Sequence, residues 1–180
     1  IRQRVNLATK IEVTMEVNPG SISPGSDENH LPKSLISKSG ETEPLAEEKL
    51  AGYREAGVNR LSLGVQSFDA SQLKNLGRIH SPESAIRTYQ LARAAGFSNI
   101  NIDLMHGLPS QDLAQAMNDL QHAVDLHPEH ISWYQLTIEP NTVFYKQPPS
   151  LPNEDALWEI YEAGLSLLEK NDFSRYEVSA

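Results

Sequence analysis

Two carboxylates and an amide recur near the ends of three similar stretches: Glu16 in Ile11–Asn18, Asp103 in Ser98–Met105 and Gln66 in Arg60–Gln66. An acid at the exit of a strand can accept hydrogen bonds from ribose hydroxyls, as acids do in nucleotide-binding folds, and a Gln amide both donates and accepts. Glu16 and Asp103 together also have the composition of a general acid and base, but no nucleophile or electrophile accompanies them. Arg78, in the run LGRIH, has the charge to neutralise a carboxylate or phosphate, though a solvated surface Arg is the commoner fate of that residue.

Each stretch alternates strictly. Ile11, Val13, Met15 and Val17 oppose Glu12, Thr14, Glu16 and Asn18; Leu61, Leu63 and Val65 oppose Arg60, Ser62, Gly64 and Gln66; Ile100, Ile102 and Leu104 oppose Asn99, Asn101 and Asp103. That period of two marks strands with one apolar and one polar face. Further strands are expected near residues 131–137 and 173–179. Helical spacing links Leu113, Ala116, Met117, Leu120, Ala123 and Val124, and again Leu157, Ile160, Tyr161, Leu165 and Leu168. Ser81-Pro82-Glu83, Ser110 and Asn153 read as helix starts, and Gly57, Gly96 and Asn171 as stops.

Repeated strand–helix units imply an α/β fold with a parallel sheet and right-handed connections. An antiparallel sheet with one wet face would give the same alternation, but its strands would be joined by short turns. Ordinary parallel strands, covered on both sides, read as continuous apolar runs. A parallel sheet with one polar face therefore implies a curved sheet or barrel whose inside is a ligand cavity, with Glu16, Gln66 and Asp103 at its rim.

Composition narrows the function. Across 180 residues the net charge is −9, with a pI near 5.1, which argues against nonspecific nucleic-acid binding. No apolar run is long enough to span a bilayer. Six His and no Cys exclude disulfides and thiolate-held zinc or iron–sulfur centres within these residues. His122, His127 and His130 lack the convergent spacing of a metal site. The chain opens on Ile1 and closes inside a strand-like run, so it reads as part of something longer. The stretch GSISPGSDENHLPKSLISKSGETEP (residues 20–44) is rich in Ser, Gly, Pro and charge, and a disordered insertion spanning 21–44 is expected.

Three local motifs carry alternatives. In GVQSF, Gly64 permits close approach to the backbone and Gln66 offers an amide, or the pair is a strand-ending glycine with a solvated Gln. In NIDLMHGLPSQ, Asp103 precedes His106, a Gly107-Leu108-Pro109 turn and a helix opened by Ser110, whose free amides could receive an anion. Asp103 on its polar face favours ligand binding over a purely structural carboxylate. Trp133 and Tyr134 must point to opposite faces, Trp133 into packing and Tyr134 toward the cavity or the helical layer.

Together EVTMEVNPG, GYREAGVNRLSLGVQSF, LGRIH, NIDLMHGLP and HISWYQLTIEPNT resemble the radical S-adenosylmethionine family of oxygen-independent coproporphyrinogen III oxidases and their haem-chaperone branch. The resemblance covers the chain apart from residues 21–44. It implies part of a (βα)6 barrel over residues 1–180, incomplete at both ends, with S-adenosylmethionine at the carboxyl ends of the strands. It also implies roles: Glu16 on the methionine amine, Asp103 on the ribose, and Gln66 and Arg78 on the ribose and carboxylate region. Relatives cleave S-adenosylmethionine with a [4Fe–4S] cluster held by Cys-x3-Cys-x2-Cys upstream, and no Cys is present here. These residues alone thus bind no cluster through thiolates and generate no radical.

His106 in HGLP, where oxidases tend to carry an aromatic residue, and WYQLTIEPNT are similar to the chaperone branch. That branch implies haem or another tetrapyrrole as cargo and a haem-requiring client protein as partner. The compartment implied is the cytoplasm, or the mitochondrion in a eukaryote. The oxidase, which decarboxylates propionates of coproporphyrinogen III, and a degenerate haem-binding module without radical chemistry are the competing readings.

Overall fold

Alternating apolar residues can be buried on one face only if something covers that face and leaves the other free. The computed structural model, which describes residues 11–22 and 43–177, solves this with four parallel strands: β1 (Thr14–Val17), β2 (Arg60–Gln66), β3 (Ile100–His106) and β4 (His130–Gln135). Their order in the sheet is β1-β2-β3-β4, with Glu16 beside Ser62, Ser62 beside Asn101, Gly64 beside Asp103 and Asp103 beside Ser132. Right-handed crossovers without a reversal of strand order place every connecting helix on the same side. Among the described residues no helical layer covers the other face, which is the geometry of a barrel wall.

The helices are α1 (Pro19–Ile22), α2 (Glu43–Glu55), α3 (Ala70–Asn75), α4 (Pro82–Ala94), α5 (Leu113–Asp125), α6 (Val143–Lys146) and α7 (Glu154–Lys170). Leu61, Leu63, Ile100, Ile102 and Leu104 are fully buried and share one core with Leu50 of α2, Ala85, Tyr89 and Ala92 of α4, and Leu120 and Ala123 of α5. At about 1.5–3 kcal/mol for each large apolar side chain, this layer is the main force holding sheet to helices. Helix α7 packs on α5 and reaches the sheet through Gly164, where any Cβ would collide with the Trp133 ring.

The expected parallel sheet is present, and the antiparallel alternative is excluded because all three strand pairs are parallel. Several boundaries differ from the sequence reading. Residues 173–177 form no strand; helix α7 ends at Asn171, the Phe173 amide turns back to the Leu168 carbonyl, and Tyr176 meets β4 through its side chain, its hydroxyl 3.2 Å from His130 Nδ1 and its ring edge-on to that imidazole. Strand-like composition without a hydrogen-bonded ladder does not make a strand. Ser21 and Ile22, the start of the expected insertion, close α1 with Ile22 buried, and α2 begins at Glu43. The rest of that insertion lies outside the described residues.

Ser110 does not cap α5. It adopts a left-handed backbone (φ 55°) with its amide bonded to the Ser150 carbonyl, and Asp112 is the cap instead. The Asp112 carboxylate accepts from the Gln115 amide at 2.8 Å while Gln115 Oε1 accepts from the Asp112 amide at 3.0 Å. This reciprocal box occupies the helix start that was expected to be open to an anion. Ser81 caps α4 and Asn153 caps α7 as the sequence indicated, and Gly57 and Gly96 end α2 and α4 in left-handed turns.

Candidate functional site

The helix-free face is a polar wall. At its centre Asp103 accepts from Ser62 Oγ at 3.0 Å and from Asn101 Nδ2 at 2.7 Å. Asn101 Nδ2 also lies 2.8 Å from Ser62 Oγ, and Ser132 Oγ donates to Asn101 Oδ1 at 3.1 Å. The strand register makes this row inevitable, because Ser62, Asn101 and Ser132 stand on neighbouring positions of three paired strands. Burial pushes the Asp103 carboxyl above the usual carboxylate range; the hydroxyls of Ser62 and Ser132 and the Asn101 amide oppose the rise, and the charge of Glu16 adds to it. Among the described residues the carboxylate is thus held in place by neutral donors without a cation of its own. That leaves its remaining acceptor capacity for a ligand that brings donors.

Toward the carboxyl ends, Tyr134 donates its hydroxyl to Gln66 Oε1 at 2.7 Å. Tyr134 therefore lines this wall, while Trp133, the adjacent residue, packs on the helical side, its ring centroid 4.3 Å from that of His106. Burial raises the Tyr134 phenol above its ordinary value; Asp103 and Glu16 add to the rise and Arg78 opposes it, so these charges act on one point.

Gln66 has φ 70°, and the Ser67 amide donates across it to the Val65 carbonyl at 2.9 Å, a three-residue γ-turn. For a residue other than glycine this conformation costs about 1–3 kcal/mol. The register slips by one residue here, so Gln66 rather than Val65 stands opposite Leu104. The turn brings the Gln66 amide back over Gly64, where an added Cβ would come within 3.1 Å of Nε2. A side chain at residue 64 would require the Gln66 amide to shift by a few tenths of an ångström.

Glu16 projects from β1 with an exposed carboxylate, and Arg78 is exposed in the turn after α3. That turn is set by Gly77 (φ 69°), whose amide bonds Lys74, with the Arg78 amide bonded to Leu73. Among the described residues no ion pair joins Glu16 to Arg78. An acid and a guanidinium on one rim, each with its head free of the other, complement a zwitterion. The structure thus brings Gln66, Asp103 and Tyr134 into one row, with Glu16 and Arg78 at its exposed margin.

Sequence reasoning missed two buried groups behind this row. His80 Nε2 lies 3.0 Å from the Val65 carbonyl, and Asp119 accepts from Ser67 Oγ at 2.6 Å and from the Phe68 amide at 2.7 Å. The signal for Asp119 was present: it sits within the apolar stripe of α5, between Ala116 and Leu120, where a carboxylate needs partners. Nothing local signalled His80. His106, the other buried histidine, points with Trp133 into the helical layer and away from the wall. Its Nδ1 has no partner, and burial pushes its imidazole down to about 4.

The family model "Radical SAM superfamily" matches residues 2–120. "Heme chaperone HemW" of Escherichia coli is 46% identical over all 180 residues, which make up 42% of that relative, and the protein of the same name in Haemophilus influenzae is 42% identical, with 41% of its length covered. "Radical S-adenosyl methionine domain-containing protein 1, mitochondrial" of Mus musculus is 36% identical over 99% of the chain and 36% of its own length. The chain thus spans well under half the length of these relatives. Among solved structures, the radical SAM coproporphyrinogen III oxidase HemN of Escherichia coli superposes with a TM-score of 0.72 at 22% identity, over 94% of this chain and 35% of that one.

Proposed function

The chain belongs to the radical SAM superfamily, and from that membership we propose that it forms the S-adenosylmethionine-binding part of a haem-handling protein of the chaperone type. The observation that carries the cofactor assignment is the helix-free wall with Asp103 at its centre, Gln66 and Tyr134 at its carboxyl rim, and unpaired Glu16 and Arg78 beside them. S-adenosylmethionine has three parts that need different partners. Its ammonium suits the exposed Glu16 carboxylate and its carboxylate suits Arg78. Its ribose hydroxyls are donors of the kind that Asp103, lacking a cation, can accept. Gln66, folded over Gly64, supplies an amide between the two.

When bound beside a reduced [4Fe–4S] cluster, S-adenosylmethionine supplies a carbon-centred radical. The residues present fit the nucleoside and amino-acid parts of that cofactor. They do not fit the cluster, because the chain has no cysteine to hold it. The work of these residues is binding and orientation.

Similarity along the whole chain to proteins named haem chaperones supports a haem-carrying role for the complete protein, with delivery to a haem-requiring client. Likeness to the oxidase at 22% identity speaks to the fold alone. Among the described residues no helix is long and apolar enough to cross a membrane. Haem titration of the full-length protein, run beside a coproporphyrinogen decarboxylation assay, tests the reading. Saturable haem binding without decarboxylated product is expected, and formation of that product would overturn the chaperone assignment in favour of the oxidase.

A further inference from the structure

Gln66 is strained, and strain of this kind persists only where the surroundings hold it. Two buried side chains bond the turn, one just before Gln66 and one just after it. His80, 3% exposed, places Nε2 at 3.0 Å from the Val65 carbonyl, the same oxygen that closes the γ-turn. A carbonyl only accepts, so Nε2 carries the proton and donates. Asp119, 2% exposed, receives the hydroxyl of fully buried Ser67 on one oxygen and the Phe68 amide on the other. Ser67 Oγ in turn accepts from the Asp69 amide at 3.0 Å, which ties the turn to the start of α3.

Neither group touches the polar wall, and no part of the proposed binding role uses either. Both are costly to bury: the carboxylate of Asp119 is desolvated, and His80 Nδ1 is left without a partner. Apolar residues at both positions could be buried at less cost. What the two positions share is the Val65–Phe68 backbone, which they fix immediately before and after Gln66.

We infer that His80 and Asp119 are positioning residues that clamp the Val65–Phe68 turn and thereby aim the Gln66 amide across Gly64 to Tyr134 and the ligand. Without the clamp, residue 66 relaxes toward an ordinary extended backbone, its side chain leaves Gly64, and the bond from Tyr134 is lost. The inference rests on the S-adenosylmethionine site proposed above, since it assigns these residues to the affinity of that site.

A double-mutant cycle on the full-length protein with its cluster assembled separates the two ideas, with S-adenosylmethionine affinity read by equilibrium dialysis and folding by thermal unfolding. Asp119→Asn is expected to weaken binding about tenfold, a change of about 1.4 kcal/mol. The same substitution in a Gln66→Ala background is expected to cost nothing further. Should Asp119→Asn fold poorly, Ser67→Ala removes one arm of the clamp and leaves the carboxylate in place, with the same non-additivity expected. Equal losses in both backgrounds, or undiminished affinity in the clamp variants, would overturn the clamp while leaving the site intact. A Gln66→Ala protein that binds as tightly as the parent would instead remove Gln66 from the site, and the clamp's role in binding with it.

Discussion

At the amino end of the sheet Arg93 spends its whole guanidinium on structure, whereas at the carboxyl end polar groups are left strained, neutralised or unpartnered. Arg93 bonds the Tyr89 hydroxyl at 2.8 Å, the carbonyls of Phe97 and His127, and Glu129 at 2.9 Å. Glu129 also accepts the Ile100 amide that begins β3. The network lies between α4, β3 and the turn into β4, and its donors and acceptors meet one another. At the other end lie Gln66 with its positive φ, Asp103 with its raised carboxyl, and His106, whose Nδ1 has no partner. Of the six buried polar side-chain atoms without a partner among the described residues, only Asn99 Oδ1 is at the amino end. One end is built for stability, and the other carries strain at Gln66 and a raised carboxyl at Asp103 on the wall, with unpartnered polar atoms packed behind it.

The largest expected effect tests how much the carboxyl end costs in acid. Burial holds the His106 imidazole near 4 in the fold, against 6.5 for the free side chain. A depressed histidine contributes stability above 6.5 that is lost as pH falls, because the unfolded chain takes the proton first. Between pH 6.5 and pH 4 the parent should lose about 3 kcal/mol from this group, and His106→Phe should lose none of it. Asp103 and Asp119, with raised values, work in the opposite direction from their unfolded value of 3.8 upward, so the parent-minus-variant difference isolates the histidine. Urea unfolding across that range reads it, and parallel curves for parent and variant would mean that His106 is not held neutral by the fold.

A paired substitution then separates the two ends. Asp103→Ala in the full-length protein should weaken S-adenosylmethionine binding by about 1.5–3 kcal/mol, the worth of charge-assisted hydrogen bonds. Arg93→Met should cost about 2 kcal/mol of folding stability and leave that affinity unchanged. Calorimetry and chemical denaturation on both variants give the cross-comparison. If the losses appear in the same column, the division between the ends is wrong.

The smallest effect is the most discriminating. Gln66→Gly should be about 1 kcal/mol more stable than Gln66→Ala, because glycine adopts positive φ without strain and both variants lack the bond from Tyr134. If the two variants unfold alike, the turn is not strained.

Much of the wall was legible because alternation is a local property. Glu16, Ser62, Gln66, Asn101 and Asp103 could be assigned to one face from spacing alone, and consecutive placement put Tyr134 opposite Trp133. Helix ends were legible where a residue acts on its own neighbours, as at Ser81, Asn153 and Gly96. Ser110 failed because two serviceable caps lie two residues apart, and the bond to Ser150 chooses between them. Residues 173–177 failed because a strand requires a partner that composition cannot supply.

The sequence by itself determined that three two-faced strands alternate with helices, and therefore that one face of a parallel sheet is polar with Gln66 and Asp103 on it. Period and spacing act between residues a few positions apart, so they survive in a linear text. Only the tertiary structure decided that Gln66 is strained, that Asp119 holds its turn from 51 residues away and that His106 turns from the wall into the helical layer. Those contacts depend on strand register and helix packing, which bring together residues that the chain keeps apart.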